Sequence, residues 1–380
     1  MFNNISKPIL CLLIIAISST KLHAQVTDNY EEFVYNNPND QLPMRDTHII
    51  ANPDDGKFYA IGTLNWGGSN TEGDAGFRLY ISEDLKDWEP GPWIMKQKNI
   101  PEEAWYKSVF WAPEIHKFND KWYFTYNCDG VQQIDKERYG SPHGAGVAVS
   151  DKITGPYRDL SNKPLVQWPH NDLTLFQDDN NKVYALFNNG HFNLKNYPDS
   201  KHSIFVAEIN LDSGELVETP HKLLTQQGEF ESFLIEGAHM IKVDSIYYLF
   251  YSCYDQKGYA VGYAVADNIY GPYIRATNSP LLGARYDGGL IKDGTIIYNT
   301  ESRYCEAGHN QIFKGPDNQY WTSYHAYIRS GDDKIGPLLV IDPLYFNDGL
   351  VSTPAPSWGE QRSLLDPKMA KMFPGLVRVN

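Results

Sequence analysis

Three carboxylates, a tryptophan and a histidine stand at a nearly fixed distance before a recurring aromatic residue. The aromatics are Tyr59 in KFYAIGT, Tyr123 in KWYFTYN, Tyr184 in KVYALFN, Tyr248 in IYYLFYS and Trp321 in QYWTSYH, spaced 64, 61, 64 and 73 residues apart. Twelve residues before them lie Trp111, Asp172, Glu236 and His309, and thirteen before the first lies Asp46, where the turn NPDDG holds one extra residue. Carboxylates in different surroundings can divide the work of moving protons, one staying ionised as a base and another kept neutral as an acid. A single acid at such a place serves equally well as a turn cap, but three in one register favour a shared site.

The elements that must position these residues are hairpins. In IEGAHMIKVDSIYYLFYS (Ile235–Ser252) an acid opens an apolar strand, Val243-Asp244-Ser245 makes a tight polar turn, and aromatic and β-branched residues form the return strand. The same hairpin occurs five times. Repeats of this length with all-β content predict a five-bladed β-propeller, in which the first strand of each blade lines the central channel and equivalent positions converge on one mouth. A second repeat agrees: GVAVSDKITGPYRDLSNKPLV from Gly146 and GYAVADNIYGPYIRATNSPLL from Gly262 match at an offset of 116 residues, two blades, and share a Gly-Pro-Tyr turn. The segment SEDLKDW (Ser82–Trp88) is their counterpart in the first blade; Lys86 and the early Trp88 depart from the S-x-D-x-G-x-x-W box of sialidase propellers. Leu338–Ser352 reads as two strands around Asn347-Asp348-Gly349 that complete the last blade.

Residues 1–24 read as a cleaved secretion signal: Lys7 is the positive end, Ile9–Ile17 the apolar core, and cleavage falls after Ala24. Nine apolar residues are too few to span a bilayer, which needs about 20. The expected organisation is therefore a signal peptide over 1–24, one catalytic propeller over 25–362 and a tail over 363–380, with secretion or a periplasmic location. Without Lys7 and Lys21 the chain carries 31 basic and 47 acidic residues, a net charge of −16. Such a surface repels nucleic acid and anionic membranes. Three scattered cysteines remain, Cys128, Cys253 and Cys305, which is no disulfide framework, although Cys253 and Cys305 have the option of pairing.

These residues resemble glycoside hydrolase family 43, whose members are five-bladed propellers. MRDTHII with GKFYAIGT is similar to its first-blade signature, HNDLTLFQDDNNKVYALF to its third and IEGAHMIKVDSIYYLFYS to its fourth; WAPEIHKFNDKWY and GHNQIFKGPDNQYWTSYH are also family-like. The resemblance implies Asp46 as general base, Asp172 as the residue that tunes the acid, and Glu236 as general acid. It runs from about Asp46 to Ser352. Family members usually have Pro after both aspartates and often after the Glu-Gly pair, where this chain has Thr47, Leu173 and Ala238.

An inverting glycosidase separates its two carboxyl groups by about 6.5–9.5 Å to admit a water. Asp46 would activate that water, and Glu236 would be kept protonated by the nearby charge of Asp172. Arg45 either holds a carboxylate ionised or is a surface charge. Trp111 is the expected sugar platform, with packing between blades as its alternative. Trp66 in LNWGGSN would line the rim, Arg285 in LLGARYDGG matches a region where relatives present arginine to sugar hydroxyls, and Arg303 is a further candidate of that kind. His309 and His239 read as hydrogen-bonded pocket or core histidines. His325 matches a position that in relatives faces a calcium, chloride or water cluster, so no cofactor is required but a channel ion is an option. No zinc spacing is present.

The expected function is an exported inverting exo-glycosidase that removes β-D-xylosyl, or secondly α-L-arabinofuranosyl, units from plant or algal polysaccharide fragments. A galactose-directed glycosidase and a carbohydrate-binding propeller without turnover are the alternatives; the latter would need no acid pair. A purely structural propeller would show no polar convergence at the mouth.

Overall fold

The apolar alternation of the fourth repeat folds as the hairpin Leu234–Val243 and Ile246–Asp255. Its turn residues, Asp244 and Ser245, both have positive φ, 49° and 69°. Two left-handed residues are what a two-residue turn needs to match the twist of its strands. In this computed structural model the described residues are 33–64, 75–129, 143–167, 170–189, 201–256, 258–276, 280–283, 291–292, 295–296, 303–330, 333–347 and 349–362. The leader-like segment (1–24), Trp66, Arg285 and the tail (363–380) lie outside them.

Five antiparallel sheets form five blades. Blade I is Arg45–Ala51, Phe58–Thr63, Gly76–Ser82 and Glu89–Lys96. Blade II is Ser108–Phe118, Lys121–Asp129 and Gly144–Ser150, and two short pieces, Arg158–Asp159 and Val166–Gln167, share its outer edge. Blades III and IV repeat that plan on His170–Gln177, Val183–Asn189 and Ser203–Asn210, and on Leu234–Val243, Ile246–Asp255 and Gly258–Ala266. Blade V has Tyr304–Lys314, Tyr320–Ser330 and Asp333–Pro343. No α-helix occurs among the described residues, and none of them forms a helix long and apolar enough to cross a membrane.

Between blades the core is aromatic, and three of its phenol tips are satisfied by buried or half-buried acids. The hydroxyls of Tyr126, Tyr251 and Tyr324, each three residues after its anchor, donate to Asp159 (2.6 Å), Glu231 (2.6 Å) and Asp342 (2.5 Å). A buried phenol left without an acceptor would cost about 1–3 kcal/mol. The glycines that open the two matched segments answer to these rings: a Cβ on Gly146 or Gly262 would lie 2.8 Å from the Tyr126 or Tyr251 hydroxyl. Both Gly-Pro-Tyr turns that follow have a cis peptide. Cys128 and Cys253 are buried at equivalent strand ends, and Cys128, Cys253 and Cys305 are all free thiols.

The last blade closes differently from the expectation. Leu338–Pro343 belongs to its third strand, whereas Tyr345–Asn347 and Leu350–Ser352 make a separate hairpin. That hairpin packs Phe346 on Tyr248, Phe250 and Tyr320, and its Gly349 and Val351 N–H groups donate to the hydroxyls of Tyr248 and Tyr263. The free edge of blade V is covered instead by the start of the chain. Asn39 bridges Leu339, and the Asn37 side chain donates to the Ile341 carbonyl (2.8 Å) while accepting its N–H (3.0 Å). Val34–Asn37 also pairs with Gly359–Arg362. Joining first and last segments removes the exposed edge.

Asn37→Ala leaves the N–H and C=O of buried Ile341 unpartnered. The variant is expected to lose about 2–3 kcal/mol of stability, read as a lower urea midpoint at unchanged slope.

Candidate active site

Each innermost strand carries a bulge at one place. The five anchor aromatics pair with Ile50, His116, Phe176, Ile241 and Phe313. Four residues before these stand Asp46, Ala112, Asp172, Gly237 and His309, all left-handed, with φ between 41° and 56°. A side chain in that region strains the backbone by about 1–2 kcal/mol, and such strain concentrates at functional sites. The residue just before each bulge occupies the mouth: Arg45, Trp111, Asn171, Glu236 and Gly308, facing Thr63, Asn127, Asn188, Ser252 and His325.

This corrects the spacing argument. Counting from the anchors set Trp111 and Glu236 level with Asp172 and His309, but they stand one residue earlier. The cause is turn length. Blades II and IV turn in two residues, Asn119-Asp120 and Asp244-Ser245, and the other blades in five or six.

A left-handed bulge residue loses its ladder bond, and the neighbouring blade replaces it. Ala112 N–H donates to Thr63 Oγ1 (2.8 Å), Asp172 to Asn127 Oδ1 (3.0 Å), Gly237 to Asn188 Oδ1 (3.2 Å), His309 to Ser252 Oγ (2.8 Å) and Asp46 to His325 Nδ1 (3.2 Å). The last bond joins blade V to blade I, so the pattern runs the whole way round. The acceptor is always the residue four after the anchor. That polar position was readable in the sequence as T, N, N, S and H, and only His325 of the five was singled out there.

Asp46 is buried, with Thr63 Oγ1 donating to its Oδ2 (2.5 Å) and His309 Nδ1 3.3 Å from its Oδ1. Burial alone would raise its carboxyl, but His309, Arg45 and His325, with the Thr63 hydroxyl, hold it well below the usual carboxylate range. Arg45 therefore acts on a carboxylate rather than standing as a free surface charge. Asp172 goes the other way: burial first, then the charge of Glu236, push it up to about 7, although Gly237 N–H donates to its Oδ2 (3.1 Å). Asp172 consequently holds its proton until close to neutrality. His309 lies against both sides of the site; burial would lower its ring, but Asp46, Asp172 and Glu236 raise it. Its ring also reaches Gly237, where a Cβ would come within 3.0 Å of Nδ1.

Glu236 accepts a bond from the Tyr259 hydroxyl at 2.9 Å, a partner on the third strand of blade IV that no sequence signal marked. Trp111 is partly open at the mouth and lies against the His143 ring (5.2 Å, 43°). Arg303 is exposed with its guanidinium 4.7 Å over the Trp358 ring, and its described contacts include none of the three acids.

Two residues below the bulges, His48, Glu114, Thr174, His239 and Gln311 form a deeper, buried layer. Glu114 accepts from Thr174 Oγ1 (2.5 Å) and Gln311 Nε2 (2.6 Å), with His116 Nε2 at 3.1 Å. Burial would raise its carboxyl, but His116, His48 and His239 bring it down to about 2. His239 accepts the Ile312 N–H through Nε2 (3.2 Å), in keeping with a core histidine. Among the described residues no group of three or more His, Cys, Asp or Glu is arranged to hold a metal. Burial pushes the His325 ring down to about 3. With Nδ1 accepting from the Asp46 N–H, the neutral ring carries its proton on Nε2.

A buried aspartate held ionised, beside a second aspartate raised by burial and a neighbouring glutamate, at the mouth of a five-bladed propeller, suits the acid–base chemistry of a glycoside hydrolase. The family model for glycosyl hydrolases family 43 matches residues 35–351, and the chain belongs to that family. It is similar to a β-D-galactofuranosidase from Aspergillus niger, 26% identical over 288 residues that cover 72% of each protein. A xylosidase/arabinosidase from Bacteroides ovatus is 23% identical over 349 residues, covering 83% of this chain and 95% of the relative. Among solved structures, an endo-1,4-β-xylanase from Bacteroides thetaiotaomicron superimposes with a TM-score of 0.62 at 25% identity, over 84% of this chain and 96% of that one.

Because the folded pKa of Asp172 lies above its unfolded value, the carboxyl favours folding at acidic pH and loses that contribution as pH rises toward 7. Asp172→Asn is uncharged throughout and still accepts from Gly237. Its thermal midpoint should exceed the wild type's by about 2 °C or more at pH 8, and by less at pH 5.

Proposed function

We propose that the protein is an exported, inverting, exo-acting glycosidase that removes terminal β-D-xylosyl units, or secondly α-L-arabinofuranosyl units, from plant or algal polysaccharide fragments. The observation that carries this reading is the division among the carboxyls at one mouth: Asp46 is held ionised by cationic neighbours, while Asp172, raised by burial and by the charge of Glu236 beside it, retains its proton close to neutral pH. Asp46 takes a proton from the attacking water. Glu236 gives one to the leaving oxygen, and Asp172 beside it favours the protonated pair. His309, between them, orients Asp46. Trp111 offers a sugar face an apolar platform next to these acids, and the leader-like segment at residues 1–24 supports export. A galactose-directed activity is the second reading, favoured by the similarity to a β-D-galactofuranosidase.

Release of 4-nitrophenol from β-xyloside, α-arabinofuranoside and β-galactoside panels, galactofuranoside included, names the terminal sugar. Asp46→Asn should lower kcat on these glycosides by about 10²–10⁴-fold, whereas Glu236→Gln should lose that much on oligosaccharides, whose leaving oxygen needs a proton, and far less on 4-nitrophenyl glycosides; NMR of the first-formed sugar should show the inverted anomer. A retained anomer would overturn the inverting assignment. Ligand binding without turnover, intact in both variants, would replace the enzyme by a binding propeller.

A further inference from the structure

The mouth position of blade V is a glycine, and the space it leaves is filled from the neighbouring blade. Gly308 is level with Arg45, Trp111, Asn171 and Glu236. A Cβ on Gly308 would lie 2.5 Å from Tyr259 Cε1, so the Tyr259 ring occupies the volume that a side chain on blade V would take. Three contacts hold that ring in place. Its face lies on His325 (5.8 Å between centroids, 25°), its backbone N–H donates to Glu306 Oε2 (3.3 Å), and its hydroxyl donates to Glu236 Oε1 (2.9 Å). The ring is buried, with 9% of its surface exposed.

We propose that Tyr259 is the positioning residue for the proton donor: by holding Glu236 Oε1, it leaves Oε2 as the oxygen that carries and delivers the proton. The inference rests on the reading of Glu236 as general acid. Burial, together with the charges of Glu236, Asp46 and Asp172, keeps the phenol protonated, so it remains a donor across the working pH range. In the transfer, the Oε2–H bond breaks, the leaving oxygen gains that proton and the electron pair of the breaking C–O bond. The carboxylate that remains has its new charge shared onto Oε1, where the tyrosine O–H already points. The bond therefore strengthens as the reaction proceeds, which is the requirement for it to accelerate the step.

Glu236 is also faced by Arg45, Asp172 and His309. The bond to Oε1 comes from the Tyr259 hydroxyl. Tyr259 thus supplies orientation, whereas Arg45, Asp172 and His309 supply the field.

The test is Tyr259→Phe, which keeps the ring and removes only the hydroxyl, with Gly308→Ala as an independent variant that displaces the ring. Carboxyl ¹³C titration of Glu236, which needs no substrate, should show its midpoint raised by about one pH unit once the donor is lost. Turnover of aryl glycosides should become steeper in leaving-group pKa: about 10–100-fold slower for phenyl glycosides and almost unchanged for 4-nitrophenyl glycosides, which need little acid assistance. Gly308→Ala should move both readouts in the same direction. An unmoved Glu236 titration with an unchanged leaving-group slope in Tyr259→Phe would overturn the inference and leave the ring as packing. A shifted titration in a protein that turns over no glycoside would uphold the positioning and overturn the hydrolase reading instead.

Discussion

The structure depends on a hydrogen bond made five times between adjacent blades. A residue forced to positive φ has its N–H turned out of its own sheet, and a buried N–H without an acceptor is costly. The side chain four after the anchor of the preceding blade accepts it in every case, through an oxygen in four blades and the His325 ring in the fifth. The bond does two things together. It fixes one blade against the next, and it holds the bulge in the strained conformation that aims Asp46, Asp172 and His309 at a single space. Stability of the ring and geometry of the site are consequences of one contact.

The electrostatics then follow from which charges the bulges gather. Asp46 sits among Arg45, His309 and a neutral His325, and the cationic neighbours outweigh the burial that would otherwise protonate it. Asp172 and Glu236 come from neighbouring blades, and at Asp172 burial and the charge of Glu236 outweigh the opposing pull of His309 and raise its carboxyl. Below them Glu114 is ionised in a deeper layer, tied to Thr174 and Gln311 from other blades. One narrow mouth therefore holds carboxyls in opposite states a few residues apart in register.

Much of this was legible in the chain. The spacing of Tyr59, Tyr123, Tyr184, Tyr248 and Trp321 encodes five blades, and the near-constant offset of Asp46, Asp172, Glu236 and His309 from them marks the residues that meet at the mouth. The one-residue offset of Trp111 and Glu236 was not legible, because turn length is set by local φ preferences at Asn119-Asp120 and Asp244-Ser245 that a fixed count ignores. Tyr259 was hidden for a different reason. Its role comes from a glycine on another blade, a long-range complementarity with no periodic trace. The closure of blade V by Asn37 and Asn39 is of the same kind, since an outer strand borrowed from the far end of the chain carries no hairpin signal.

That closure has a consequence for synthesis. The groups that hold Asp46 ionised come from both ends of the ring: Arg45 from the first blade, His309 and His325 from the last. A ribosome completes blade I some 210 residues before it releases His309, so the nascent propeller carries an aspartate whose histidine neighbours have yet to arrive. Only when blade V folds back beside Asn37 are Asp46, its histidines and the Tyr259 ring brought into one place. Catalytic competence is in this sense a late, all-or-none property of the closed ring, and a chain clipped before its last blade would be an inert fragment and not a weakened enzyme.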